Sequence, residues 1–338
     1  MADRLKGLFI LPLLLGGMVS PLCAAWVSGE EAIMGTRIKA EVWHEDESQG
    51  RAAIESVMQE FRRLDRKLSP SIETSEIAQV NRKAADEPVP ISAEFYQLLK
   101  TSLRYSTLTK GAFDITFASI GHRYDYRQGI RPSSEQVKLT IPLIDYRHIR
   151  LVPDNSAVSF KHAGVRIDLG GIAKGYAVDR GIALLEKRGI RHALISAGGD
   201  SRLLGDHKGR PWHIGIQAPR DKQAMAAVLP LADSAVSTSG DYERYFESDG
   251  IRYHHIISPD TGRSADSLQS VTIIGPDATR TDALSTGIFV LGAEAGMALI
   301  NRLEAFEAVI VDNQGKMSTS DGLANLGVGK KSKAANGR

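Results

Sequence analysis

Asp168-Leu169-Gly170-Gly171-Ile172-Ala173-Lys174-Gly175 stands where an extended apolar run turns into a helix. Arg166 to Leu169 reads as a strand, and the paired glycines interrupt it. From Ala173 to about Arg188 the apolar spacing is helical, and Gly189 supplies the stop. Ala193 to Ser196 is a second strand, broken at Gly198-Gly199-Asp200. Strand, helix and strand in succession describe a sheet covered by helices.

The same alternation extends outward. Glu31 to Trp43 reads as a strand carrying Met34-Gly35-Thr36 near its start. Ser48 to Leu68 is a helix by period, through Ala52, Ile54, Val57, Met58, Phe61, Leu64 and Leu68, and Ser69-Pro70 ends it. Ser92 to Thr109 is another, stopped by Lys110-Gly111. Downstream, Trp212 to Gln217, Ala235 to Thr238, Arg252 to Ile257, Val271 to Ile274 and Ala308 to Val311 read as strands, with a hairpin turn at Asn313 to Lys316. Ala283 to Ile300 is an apolar run that reads as one buried helix. There is no linker, repeat or low-complexity insert. The expected class is α+β: one unit over residues 26–325, with a large mixed or antiparallel sheet and flanking helices.

The 338 residues, 42% hydrophobic and 24% charged, are ordinary for a globular chain. A net charge of +2 gives no reason to invoke nucleic acid. The one basic run, Lys330-Lys331-Ser332-Lys333, belongs to a tail over 326–338 read as a flexible, solvated end.

Residues 1–25 read as a secretion signal: Arg4 and Lys6, an apolar run from Leu8 to Val19, then Ala24-Ala25 as a cleavage site. The run is short for a membrane span and contains Pro12. The expectation is export to the periplasm with cleavage after Ala25. The alternative is lipidation at Cys23, which would tie the chain to the inner membrane; Leu22 suits it poorly, since a small residue is usual there. Cys23 is the only cysteine, so cleavage after Ala25 leaves no thiol for nucleophilic or zinc–thiolate chemistry.

Several segments carry chemistry. Asp282 and Thr286 are four residues apart and share one helical face. They are hard oxygen donors suited to Mg²⁺, and equally a helix cap and a hydroxyl bonded back to a carbonyl. Gly170-Gly171 and Lys174 place free N–H groups and a cation at a helix N-terminus, as an anion site requires; a tight strand–helix turn fits the same residues. Gly198-Gly199-Asp200 and Ser237-Thr238-Ser239-Gly240-Asp241-Tyr242 follow other strands, which together suggest a ligand cradle at one sheet edge. Ala112-Phe113-Asp114 adds a ring and a carboxylate, the ring as readily in the core as on a ligand. His254 and His255 alternate across a strand, so one can face a site while the other packs. None of the nine histidines has a zinc-ligand spacing.

Met34-Gly35-Thr36, Ala112-Phe113-Asp114, Asp168 to Gly175, Ala197 to Asp200, Ser237 to Tyr242, His255-Ile256 with Pro259 and Thr261-Gly262, and Asp282 to Thr286 fall in one order. Each alone is weak. As an ordered set over roughly residues 30 to 322, they resemble the ApbE family, the Mg²⁺-dependent FAD:protein FMN transferases of the bacterial cell envelope.

The resemblance implies a core similar to the tunnelling fold. It implies that FAD is substrate and Mg²⁺ the cofactor. A threonine or serine hydroxyl of an acceptor flavoprotein, a subunit of a membrane electron-transfer complex, attacks the FMN-side phosphorus, and AMP leaves. Asp282 and Thr286 match the family's metal-ligating side chains, and Gly171 matches a backbone carbonyl ligand. Lys174, Met34, Ala112, Phe113, Asp114, Asp168 and Ile256 match positions that contact FAD. His255 is the candidate base, and Asp282 is catalytic through the metal. The chain departs from the family at Ser258, where Asp or Asn is frequent, and at Ser71, where an aromatic residue often stands. An FAD pyrophosphatase and a non-catalytic flavin-delivery protein are the alternative readings.

Overall fold

The computed structural model describes residues 25–325. The expected signal sequence up to Ala24, with Cys23, and the tail from 326 lie outside the described residues.

The chain opens with a hairpin of β1 (Ala25–Ile33) and β2 (Thr36–His44). The single strand expected over Glu31–Trp43 is therefore two. Met34 and Gly35 both take positive φ, 53° and 69°, and close a two-residue turn. A methionine in this left-handed region is unusual, and nothing in the local composition marks it as a turn residue.

Helix α1 (Glu47–Leu68) follows, capped by Asp46, whose carboxylate accepts from the N–H groups of Ser48 and Gln49. Then come α2 (Glu76–Lys83), β3 (Val89–Pro90), α3 (Ala93–Leu108), α4 (Ala118–Gly121) and α5 (Ser134–Thr140). Strands β4 (Ile149–Val152) and β5 (Ala157–Phe160) join β3 in a small sheet of order β3-β5-β4. The second half holds α6 (Ala173–Lys187), β6 (Ala193–Ala197), β7 (Asp200–Leu204), β8 (Trp212–Ala218), β9 (Asp221–Leu231), β10 (Ala235–Gly240), β11 (Tyr245–Ser248) and β12 (Ile251–His254). It ends with β13 (Leu268–Gly275), α7 (Ala278–Leu291), α8 (Ala293–Ile300), β14 (Glu307–Asp312), β15 (Met317–Thr319) and α9 (Asp321–Asn325).

Eight strands form the main sheet in the order β1-β2-β6-β7-β10-β13-β14-β15, antiparallel at every step. Helices α1, α6, α7 and α8 pack on one face, and the principal core lies between the layers. The β8–β9 hairpin covers the opposite face around Val236, Ile274 and Val309, closing a second, smaller core. Every residue of β13 is consequently buried, and apart from Gln269, whose Nε2 donates to the Asn313 carbonyl, its sequence is an apolar and hydroxyl run without polar alternation.

Two further expectations change. Arg166–Leu169 is extended but joins no sheet. The Asn81 side chain takes the place of a neighbouring strand: its Nδ2 donates to the Ile167 carbonyl at 2.9 Å and its Oδ1 accepts from the Ile167 N–H at 2.7 Å. The run Ala283–Ile300 is two helices, because Gly292 at φ 85° ends α7 and starts α8. Helix α7 also begins earlier, at Ala278 with Asp277 as its cap, so Asp282 lies inside the helix and does not cap it.

Candidate active site

One cavity of about 760 Å³ opens beside the N-terminus of α6 and the flank of α7. Its wall includes Met34 from the β1–β2 turn, Ala112, Phe113 and Asp114 after α3, and Asp168, Gly171 and Lys174 at the entry to α6. His255 and Ile256 follow β12, and Asp282 and Thr286 project from α7. The structure thus brings every residue that the resemblance matched to FAD, metal or catalysis to one cavity wall. Ser237, Asp241, Tyr242, Pro259, Thr261 and Gly262 do not line it, and Asp241 pairs instead with Arg220.

Close packing fixes the α6–α7 pair. A Cβ on Gly175 would stand 2.1 Å from the Ala278 carbonyl oxygen, so only glycine lets the two backbones meet. Asp179 of α6 accepts from the N–H groups of Ala278 and Thr279 at 2.9 and 2.8 Å and so caps α7 from its neighbour. A seam of hydroxyls joins α7 to β10: Ser237 to Thr281 at 2.8 Å and Ser239 to Ser285 at 2.9 Å. These contacts orient α7 so that Asp282 and Thr286 meet the cavity.

Asp282 is 3% exposed. Its Oδ2 accepts from the Gly175 N–H at 3.0 Å and lies 3.5 Å from the Lys174 ammonium. Oδ1 has no hydrogen-bond partner among the described residues. Thr286 lies against Gly171, where a Cβ would come 3.0 Å from its Oγ1, and Ser239 Oγ approaches that hydroxyl at 3.3 Å. A free carboxylate oxygen, a hydroxyl and adjacent backbone are a hard oxygen donor set, which fits Mg²⁺ better than a soft metal. Among the described residues no group of three or more His, Cys, Asp or Glu is placed to hold a metal, so a cation here would rest on this mixed set.

Burial, then the charge of Asp200, holds the Asp282 carboxyl above the usual carboxylate range, while Lys174 and the Gly175 N–H pull the other way. Burial opposes the charge on Lys174, yet Asp200 and Asp282 outweigh it and leave its pKa raised. Asp200 is the residue that sequence reasoning missed. It was legible as the end of a glycine turn, but its carboxylate is 2.7 Å from Lys174 Nζ, and nothing in the sequence pairs the two.

His255 is half-buried, and its Nδ1 is buried without a partner. Burial, assisted by His254, Arg244 and Lys174, lowers its pKa to about 3, so the ring is neutral. The strand expected over Arg252–Ile257 ends at His254, with the chain bending at His255. His254 faces the other way, its Nε2 2.6 Å from the Ala265 carbonyl and its ring edge-on to Phe289. Phe113 is 3% exposed and mainly a core residue at the cavity floor. The Asp114 carboxylate turns inward, accepting from Thr116 N at 2.8 Å, Thr116 Oγ1 at 2.6 Å and Tyr146 N at 2.7 Å. Burial still raises it to about 6. Arg244, unremarked in the sequence, adds a cation to the wall and donates to the Gly35 carbonyl at 3.1 Å. Ser71 lines the cavity; Tyr126 supplies an aromatic ring elsewhere in the wall.

The sequence model of the ApbE family matches residues 34–310. A FAD:protein FMN transferase of Treponema pallidum is 31% identical over 317 residues, 88% of each chain. The solved ApbE protein of Thermotoga maritima superposes with a TM-score of 0.82 at 33% identity, covering 89% of this chain and 99% of that one. The flavin transferase ApbE of Vibrio cholerae gives 0.79 at 26% identity, with the same coverage.

Proposed function

We propose that this chain, which belongs to the ApbE family, is an FAD:protein FMN transferase that works with Mg²⁺. FAD occupies the cavity, a serine or threonine hydroxyl of an acceptor protein attacks the FMN-side phosphorus, and AMP leaves. The carrying observation is Asp282: a buried carboxylate with one oxygen saturated and the other free, next to Thr286 and Gly171 and level with Lys174 at the N-terminus of α6.

Each side chain has a part in that reaction. At the first turn of α6 the N–H groups of Ala173 and Gly175 are taken by the Leu169 carbonyl and Asp282, so the Lys174 ammonium and the positive end of the helix are what meet the pyrophosphate. The reacting phosphoryl group needs position and charge neutralisation more than a covalent partner from the enzyme. A Mg²⁺ ion on Asp282, Thr286 and the Gly171 carbonyl would supply the rest of that neutralisation. The His255 ring rests neutral, so it can take the proton of the attacking hydroxyl and become an imidazolium as the new P–O bond forms. The new P–O bond joins FMN to the acceptor, and the bond to the AMP phosphate breaks, its electron pair leaving with AMP.

The acceptor in this reading is a flavoprotein subunit of an electron-transfer complex in the cell envelope. Residues 1–25 direct export to the periplasm, with lipid attachment at Cys23 to the inner membrane as the alternative. Incubation with FAD, Mg²⁺ and a candidate acceptor domain, read by intact mass, tests the reaction. An FMN-sized gain on the acceptor that EDTA prevents supports it. Free FMN and AMP with every acceptor unlabelled would make the chain a pyrophosphatase. Bound FAD with no turnover would make it a carrier.

A further inference from the structure

Lys174 Nζ sits among three oxygens: Asp200 Oδ2 at 2.7 Å, the Gly170 carbonyl at 3.3 Å and Asp282 Oδ2 at 3.5 Å. The shortest contact is thus to Asp200 and not to the carboxylate of the metal site. Asp200 is 2% exposed, and its carboxylate has no other partner among the described residues. Nor can it drift. It is the first residue of β7, pinned on one side by pairing with Ala197 and on the other by pairing with Ser237. The preceding Gly199 is pressed so closely on β10 that a Cβ would lie 2.4 Å from the Thr238 carbonyl oxygen. Lys174 and Asp282 come from helices locked together at Gly175. The three charges are therefore held by rigid elements.

We propose that Asp200 is a positioning residue that holds the Lys174 ammonium beside Asp282 without letting it occupy the metal-facing oxygen. An ammonium and a divalent cation compete for one buried carboxylate. With Asp200 present, Lys174 makes its close contact there, and Asp282 Oδ1 stays open. Without it, Asp282 is the remaining carboxylate within 4 Å of Nζ, and the lysine becomes an internal competitor of the metal. The same tether holds Nζ level with the position of the nucleotide phosphates. This inference rests on the metal reading of Asp282 and concerns a residue outside that ligand set.

The test measures Mn²⁺ binding by EPR on the full chain loaded with FAD. Asp200→Asn should weaken Mn²⁺ at least tenfold. Asp200→Glu keeps a carboxylate for the lysine and should stay within threefold of the parent. In Asp200→Asn/Lys174→Gln the competitor is gone, and affinity should return to within threefold. This double variant carries a neutral pair in place of the ion pair, so it remains informative if the single variant folds poorly. Parental affinity in Asp200→Asn would overturn the inference. So would a double variant as weak as the single one, because Asp200 would then act as a ligand or through its own charge. Failure of the metal reading looks different: no Mn²⁺ bound by the parent, or equal binding by Asp282→Ala.

Discussion

His255 carries a signature that can be read without any substrate. The unfolded chain takes up a proton at a histidine near pH 6.5, whereas the folded chain holds this ring neutral down to about 3. A depressed histidine pKa means that the fold binds fewer protons than the unfolded chain, so stability falls as pH drops through that window. We expect the His255 ring resonances to stay neutral from pH 5 to 8 in NMR spectra. His255→Gln should also flatten the fall in melting temperature between pH 6.5 and 4. In the proposed reaction the same variant should lose roughly 10²- to 10⁴-fold in transfer rate while FAD affinity changes little. An equal loss in both would make His255 a binding residue. At this scale the sequence was legible where chemistry follows a period. Asp282 and Thr286 share a helix face, and His254 and His255 face opposite ways even though the strand ends between them, so their placement could be read directly. The Asp200–Lys174 pair could not, because it joins residues on opposite sides of α6 and β6 that only the fold brings to 2.7 Å.

At the scale of elements, the site depends on how α6 meets α7. Gly175→Ala would drive a methyl group into the Ala278 backbone, and the helices must separate to admit it. We expect a loss of about 3 kcal/mol in stability, read by thermal melting, and weaker metal binding through a displaced Asp282. Asp179→Ala removes three hydrogen bonds to the start of α7, from Ala278 N, Thr279 N and Thr279 Oγ1, and the 2.8 Å ion pair with Arg202. A cost of about 2 kcal/mol follows, and a melting temperature unchanged from the parent would show that α7 does not depend on this cap. The helices α1, α3 and α6 were legible almost to the residue because each has an apolar period and a stop, with a polar cap opening α1 and α3 and the glycine pair Gly170-Gly171 preceding α6. The errors have local causes. The Met34-Gly35 turn lacks a turn-forming first residue, and the break at Gly292 lies inside a long apolar run. Arg166–Leu169 has strand composition but bonds to the Ser119 and Asn81 side chains and the Ile115 carbonyl instead of a neighbouring strand.

The whole molecule gathers residues from both ends of the chain around one opening. Met34 and Thr286 line the same cavity because the sheet order places the N-terminal hairpin beside β6 and β7, under the helix layer that carries α7. The proposed reaction asks two separate things of that opening, a place for a dinucleotide and a fixed cation site. The general class was readable from the alternation of elements. The eight-strand order was not, since it depends on which antiparallel edges meet across long stretches of sequence.

The central claim is that Asp282 holds the metal with which FMN passes from FAD to a protein hydroxyl. Its most direct test is the mass of an acceptor domain after incubation with FAD and Mg²⁺, using the parent chain and Asp282→Ala side by side. The account predicts an FMN-sized gain with the parent, lost on EDTA treatment and absent with Asp282→Ala. Full labelling of the acceptor by Asp282→Ala would contradict it.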